Sequence, residues 1–391
     1  MKILIVVRKL TQGGLQQQIV TFARTALARG IETHVLILKS SKNELALPEA
    51  TIVHRARLRS LQFSSIRGVA TYLAGHLLLP LICRKTKDFL SGRFIGRWFK
   101  QEFLPQLEQR HGPMDYVFIR GQGAFDLLNS YRAPGKSYRY IDGNPYPYSP
   151  RIFLFKPVAE KINRLTYGDA DFICVSEDLA AKLKAITDSC GARNTIRVFR
   201  NFMDIHRIRK LAQERPKQDL PARYIVSVGR LVSAKRQDLI IDAMVYLPRD
   251  LSLVLVGSGS RQSDLEAHAR SVFPSEEDRK RIIFLGNQDN PYPYIKNALA
   301  LAHASEKEGF GLVFVEALIL DTPVVAMESI GGMRDVLQGE ILSKQITSRS
   351  TAEFASCIER TISNPYHSTE DMYRRYDAAS ALDELLTALG K

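Results

Sequence analysis

The sequence predicts an α/β protein of two doubly wound, parallel-sheet domains, and three observations carry that expectation. The chain opens on a β-branched run, Lys2–Val7, then a glycine loop, a helical stretch Leu15–Arg29 stopped by Gly30, and a second apolar run, Thr33–Lys39. Strand, helix and strand in that order form a βαβ unit, and strands that are apolar throughout belong in a sheet covered on both faces. From Tyr224 the same alternation begins again. Between the two lies a polar stretch, 206–223, that carries Pro216 and Pro221 and reads as a linker.

Bulk composition bounds the rest. A chain of 391 residues is too long for one ordinary core. At 45% hydrophobic and 25% charged residues it has the balance of a folded globular protein. No run reaches the roughly 18 apolar residues of a membrane span. The longest approach, 69–83, is broken by His76 and Pro80. Cys83, Cys174, Cys190 and Cys357 are scattered, with neither metal-finger nor disulfide-framework spacing, which fits reduced thiols. The start, MKILIVV, runs straight into a strand without a signal-peptide pattern. A cytoplasmic location is the expectation.

The net charge of +14 is uneven. Residues 1–200 hold 31 basic and 15 acidic side chains, and the remainder is near neutral. Within residues 51–100 there are ten basic side chains (Arg55, Arg57, Arg59, Arg67, Arg84, Lys85, Lys87, Arg93, Arg97 and Lys100) against one acid, Asp88. Such a patch calls for an anionic partner, whether lipid, phosphorylated glycolipid or nucleic acid. Helices are expected at 64–83 and 87–109, the second carrying Phe89, Phe94, Ile95, Trp98, Phe99 and Phe103 among its cations. A helix with aromatic and basic faces can lie on an anionic bilayer, or it can be a core helix with its charges in water.

Further along the first half, Asp115–Arg120 and Tyr138–Ile141 read as strands, the latter ending at Asp142. Parallel sheets place chemistry at the carboxyl ends of their strands, although an Asp before Gly also forms turns. Asp169 and Asp171 match a D-x-D metal pattern, but they lead into a buried strand, Phe172–Val175, and are read as its entry. The loop Gly13-Gly14 lacks the dinucleotide fingerprint. A strand is expected at 197–201.

In the second half, the strand Tyr224–Val228 is followed by Gly229-Arg230 and, five residues after the arginine, Lys235. A guanidinium and an ammonium at one strand end can both reach one diphosphate. Strands at 251–259 and 282–285 end in small or polar residues, the latter at Gly286-Asn287. The most informative stretch is SEKEGFGLVFVEALILDTPVVAMESIGGMR, residues 305–334. It places the turn Glu308-Gly309-Phe310-Gly311 before a helix from Leu312. Free amides at a helix start attract phosphate. Glu308 and Glu316 stand eight apart, about two helical turns. Helices are expected at 351–363 and, as one piece, at 370–389.

That stretch resembles the Glu-x7-Glu motif of the retaining glycosyltransferases of the GT-B fold, family 4 in particular. Val-Gly-Arg-Leu with the lysine, LTQGGLQQQIVTFARTALARGIETHVLIL, and the Asn201 to Asp204 closure extend the likeness to most of the chain outside 51–110. The resemblance implies two Rossmann-like domains with a cleft between them: an acceptor domain at 1–204 with a basic helical insertion at about 60–110, a donor domain at 205–369, and a final helix at 370–391 crossing back. It also implies retention of configuration without a metal or other cofactor. Carried over, Glu308 faces the donor sugar and Glu316 the ribose. Arg230 and Lys235 hold the diphosphate, together with Gly229 and the Gly309, Phe310, Gly311, Leu312 and Val313 turn. Gly286 and Asn287 meet the nucleobase, and Gly13 and Gly14 line the cleft. Asp142 stands where the family often has a histidine near the reacting centre, and takes the place of a candidate acceptor-side base. The donor is expected to be a nucleotide-diphosphate sugar, a UDP-sugar first, and the acceptor a glycan or glycolipid such as lipopolysaccharide core. Peripheral attachment to the inner face of the cytoplasmic membrane through residues 51–100 is expected, and nucleic acid is not. A sugar-nucleotide epimerase, a soluble oligosaccharide synthase and a basic nucleic-acid binder are the alternatives.

Overall fold

The structure, a computed structural model, describes residues 1–11, 13–41, 44–63, 66–78, 89–143, 145, 147 and 156–390. The chain divides into two compact units, Met1–Phe202 with Ala381–Lys391, and Met203–Ser380.

In the first unit seven parallel strands form one sheet: β1 (Lys2–Val7), β2 (Glu32–Ile37), β3 (Ile52–Arg55), β4 (Tyr116–Arg120), β5 (Ser137–Ile141), β6 (Asp171–Cys174) and β7 (Thr195–Val198). Their order is β3-β2-β1-β4-β5-β6-β7, so the winding reverses between β1 and β4. β1 and β4 show why the strands read as apolar runs: from Ile3 to Val7 and from Tyr116 to Arg120 every residue is buried. The last strand is shorter than expected, ending at Val198, and Phe199 is the last residue to bond to its neighbour, through the Cys174 carbonyl.

In the second unit six parallel strands form the sheet: β8 (Tyr224–Val228), β9 (Ser252–Val256), β10 (Ile282–Gly286), β11 (Ala300–His303), β13 (Val324–Met327) and β15 (Ile346–Thr347). Their order is β10-β9-β8-β11-β13-β15, with the reversal between β8 and β11. A separate two-stranded ladder pairs β12 (Lys307–Glu308) with β14 (Ile330–Gly331). The stretch read as a linker begins this unit as a helix, Ile205–Leu211, capped by the Asp204 carboxylate on the Arg207 amide.

Two helical expectations change. The stretch 370–389 is not one helix. Glu370–Tyr373 and a 3-10 turn, Arg374–Tyr376, stop at Asp377, whose backbone is extended and whose carboxylate accepts from the Ala379 and Ser380 amides to start a new helix, Ala378–Ala388. From Ala381 onward that helix belongs to the first unit, where Asp383 meets Arg29 at 2.5 Å.

The basic insertion also differs. It holds helices Leu58–Phe63 and Ile66–Leu73, a π turn Ala74–Leu78, and then a helix Phe89–Trp98 that continues through a π turn, Phe99–Phe103, into Leu104–His111. The π turn ends one residue short of Pro105, which lacks the amide donor a regular turn needs, and the Leu104 amide bonds back to Phe99. The aromatic face proposed for a bilayer is largely spent inside the unit. Phe89, Ile95 and Phe99 are buried, and the backbone of Asp126 lies so close to Gly92 that a Cβ there would stand 1.9 Å from the Asp126 carbonyl oxygen. Arg93, Arg97 and Lys100 are exposed. Helix 89–98 is therefore a core helix with its cations in water. Arg84, Lys85 and Lys87 lie outside the described residues, as do the side chains of Arg59 and Arg67. No helix among the described residues is long and apolar enough to cross a membrane.

Several arginines serve the fold rather than a partner. Arg281 is buried, and its guanidinium donates to the carbonyls of Leu251 (2.9 Å), Met244 (3.3 Å), Leu247 (3.2 Å) and Pro248 (2.7 Å). Arg281→Ala is expected to lower unfolding free energy in urea by about 2–4 kcal/mol, because it orphans buried acceptors and opens a cavity. Arg249→Ala, which removes an exposed arginine, serves as the control and is expected to stay within about 0.5 kcal/mol.

Candidate active site

In the second unit Gly286 and Asn287 follow the outer strand β10, while most of the sequence-predicted residues follow the two strands between which the winding reverses. Open α/β sheets bind ligands at such points because the loops after the two central strands part there. Gly229, Arg230 and Lys235 follow β8, and Glu308 to Val313 follow β11. The two loops are tied together by main chain. The Glu306 amide donates to the Ala234 carbonyl at 2.9 Å, and the Ser305 hydroxyl donates to the same oxygen at 3.0 Å. Arg236 adds a side-chain tie, reaching Asp238 at 2.8 Å and Glu306 at 2.9 Å.

This brings Lys235 onto the Glu308 carboxylate as an ion pair, with both side chains mostly buried. The other partner of Glu308 was missed in the sequence: His303, the last residue of β11, donates its Nε2 hydrogen to Glu308 at 2.7 Å. A histidine ending a strand five residues ahead of the motif glutamate was the available signal. Burial lowers the His303 pKa, so the neutral ring is the form that donates. Burial alone would raise Glu308, but the His303 hydrogen bond and the Lys235 ammonium outweigh it and hold the carboxyl at about 2. Glu308 is thus a carboxylate at every physiological pH.

Its backbone is fixed by the β12–β14 ladder, where Glu308 pairs with Gly331 and the Gly332 amide donates to the Glu308 carbonyl at 3.0 Å. Gly331 has φ +122, and a Cβ there would stand 1.6 Å from that carbonyl oxygen, so only glycine fits. Gly311, with φ +85, caps helix Leu312–Ile319 in the left-handed conformation. The first amides of that helix lack intrahelical acceptors and face no capping side chain.

Glu316 lies about one turn into this helix, partly buried, and has no side-chain partner among the described residues. Desolvation alone pushes its carboxyl up to about 7. Arg230 is exposed and its guanidinium likewise has no partner among the described residues. Phe310 is buried and packs edge-on against Tyr376 with ring centroids 5.4 Å apart, so its side chain is a packing group. Gly286 ends β10 with φ +67, and Asn287 beyond it is exposed.

Gly13, Gly14 and Asp142 belong to the first unit. Gly13 precedes and Gly14 begins helix Gly14–Ala28. Beside them, at the reversal between β1 and β4, is a cavity of about 470 Å³ lined by Arg8, Lys9, Gln16, Lys39, Arg120 and Gly121 among others. Asp142 does not stand free as a base. Its two oxygens accept from Nε (3.3 Å) and Nη2 of the buried Arg120, whose guanidinium stacks on Tyr140 at 4.0 Å. Burial raises the Asp142 pKa against the opposing pull of Arg120. The geometry makes Asp142 the anchor of Arg120. Arg120 itself was not singled out in the sequence. Its Nη1 is buried without a hydrogen-bond partner among the described residues.

Among known proteins, residues 208–379 match the model of the family described as glycosyl transferases group 1. The N-acetylgalactosamine-N,N'-diacetylbacillosaminyl-diphospho-undecaprenol 4-alpha-N-acetylgalactosaminyltransferase of Campylobacter jejuni is 30% identical over 177 residues, 44% of this chain and 45% of that protein. The lipopolysaccharide core biosynthesis glycosyltransferase LpsE of Rhizobium meliloti is 29% identical over 170 residues, 43% of this chain and 47% of that protein. The chain thus spans about half the length of the curated relatives it matches. Over its full length it resembles the structure of Anabaena HepE in complex with UDP and glucose, with a TM-score of 0.66, 18% identity and 100% of both chains covered. Residues 208–379 thus match the glycosyl transferases group 1 model, and the chain that holds them has the GT-B fold of two parallel-sheet α/β domains.

Proposed function

We propose that the protein is a retaining glycosyltransferase that moves a sugar from a nucleotide-diphosphate sugar to a hydroxyl of a glycan or glycolipid acceptor. The observation that carries this is the charged cluster of Lys235, His303 and Glu308 at the reversal of the second sheet, inside the segment with the family match. In this reading the diphosphate lies over the amides of Leu312 and Val313, with Arg230 and Lys235 as its cations. Glu308 accepts hydrogen bonds from the donor sugar and Glu316 from the ribose. The names of the relatives and the UDP and glucose held by HepE favour a UDP-sugar and an envelope glycolipid. No resident cofactor enters the reaction.

In a front-face displacement the bond from the anomeric carbon to the phosphate oxygen breaks as the bond to the acceptor oxygen forms on the same side. The acceptor proton passes to the departing phosphate oxygen. Charge then grows on the diphosphate, where two cations and helix-start amides stabilise it without reorganising. An epimerase would use the same donor machinery but would consume donor with no acceptor present.

The cavity of the first unit suits an anionic acceptor: Arg8, Lys9, Lys39 and Arg120 line it. We also place the acceptor at a membrane surface. Helices 58–63 and 66–73 pack on helix 89–98, and they expose Phe63, Ile66, Leu73 and, in the following turn, Leu77, with Ile66 89% exposed. Apolar residues presented from an insertion that also exposes Arg93, Arg97 and Lys100 fit an anionic bilayer.

Three outcomes test this reading. Lys235→Ala and Glu308→Gln should each cut sugar transfer at least about 100-fold while circular dichroism shows a folded chain, and full activity in either would remove the donor-site assignment. UDP affinity, measured by calorimetry, should be about tenfold weaker at pH 6 than at pH 8. Ribose hydroxyls donate to the ionised Glu316, whose free carboxyl titrates at about 7, so protonation competes with binding below that pH. In Glu316→Gln only the titration of the diphosphate itself should remain. Finally, wild-type protein should sediment with phosphatidylglycerol vesicles, whereas Ile66→Asp with Leu77→Asp, or Arg93→Ser with Arg97→Ser and Lys100→Ser, should stay in solution. Equal sedimentation of all three proteins would rule out the membrane surface.

A further inference from the structure

We propose that the first unit carries a binding site for a divalent transition-metal ion of the zinc class, with Glu32, His34 and His111 as ligands and His54 orienting His34 from behind. The chain has eight histidines, and three of them meet at the outer edge of the first sheet. His34 and His54 stack with ring centroids 5.4 Å apart, and His111 stands edge-on to His34 at 4.8 Å. One carboxylate oxygen of Glu32 and one nitrogen each of His34 and His111 lie within 4.8 Å of one another. In a tetrahedral zinc site such atoms are about 3.3 Å apart, so side-chain rotations of about 1 Å close the set.

The surroundings fit ligation. His34 Nε2 is 2.8 Å from Glu32 Oε1, and its Nδ1 is 3.1 Å from His54 Nε2. When His34 gives Nε2 to a metal, its proton moves to Nδ1 and is donated to His54, the outer-shell partner that metal-bound imidazoles ordinarily have. Two imidazoles and a carboxylate select zinc, nickel or cobalt over magnesium or calcium. Lys2 pairs with the other Glu32 oxygen at 3.4 Å, leaving Oε1 turned toward the rings. Without a metal, the three rings and the carboxylate bring little to the fold. With one, the site pins the last turn of helix Leu104–His111 to β2. Glu32 opens its strand, whereas the cavity follows the far ends of β1 and β4, about 15–20 Å away along the strands, so the ion stands apart from the transfer chemistry.

The test uses the full chain, stripped with EDTA, incubated with zinc chloride and desalted. Mass spectrometry of the metal should find about one zinc per chain, and zinc should raise the melting temperature by several degrees. Glu32→Gln combined with His111→Asn changes two partly exposed side chains, and this variant should fold, bind UDP as before and lose both effects. No retained zinc in the wild type, or zinc retained equally by the variant, would overturn the site whatever the outcome for sugar transfer.

Discussion

The second unit depends on one buried charge relationship, the Glu308 carboxylate held between the Lys235 ammonium and the His303 imidazole. Buried charges are tolerated only when paired and hydrogen-bonded, and here both conditions are met from different loops. Lys235 comes from the loop after β8, His303 from the end of β11, and Glu308 from the small ladder beyond. For these groups to meet, the Ala234 carbonyl must accept from the Glu306 amide and the Ser305 hydroxyl, and Gly331 must let the backbone of Glu308 approach. The ion pair thus fixes, and is fixed by, the course of two loops at the sheet's reversal. In the proposed donor site a diphosphate would meet an ammonium already positioned and an arginine, Arg230, still in water.

Glu308 and Glu316 show how one short motif gives two carboxyls opposite character. Glu308 is surrounded by donors and remains ionised. Glu316 is desolvated with no partner, and its carboxyl titrates close to neutrality. A group left unpaired on a well-packed helix is expensive unless a ligand completes it. Hydroxyl donors would do so, and their arrival would favour the charged form.

The alternation of strands and helices, both glycine-turn loops and the spacing of Arg230, Lys235, Glu308 and Glu316 were legible in the sequence because each rests on local chemistry. What was not legible depends on distant partners. His303 reads as an ordinary residue of an apolar strand until the fold sets it against Glu308. Asp142 reads as a strand-end acid because the bidentate arginine that claims it sits 22 residues earlier. The break at Asp377 was hidden inside a strongly helical pattern, since only the Asp side chain reaching the Ala379 amide marks a new start. The helix at 89–98 had the composition of a bilayer-surface helix, but its glycines, Gly92 and Gly96, are what let it sit against neighbouring backbone.

The basic composition needs the same discrimination. A net charge of +14 suggests an anionic partner, yet part of it is internal. Arg139 is buried with its guanidinium on the Thr166, Leu128 and Tyr131 carbonyls, and Arg132 and Arg281 likewise gather carbonyl groups. Such arginines replace backbone caps and offer nothing to a ligand. Arg120 differs from them in one respect. Two of its nitrogens are spent on Asp142, and the third is buried without a partner among the described residues, in a residue that lines the same cavity as Arg8, Lys9 and Lys39. A donor in that condition costs free energy until something accepts from it. The cations that line the cavity of the first unit and the exposed Arg230 of the second are a small part of the total, so the bulk excess of lysine and arginine is a poor guide to function.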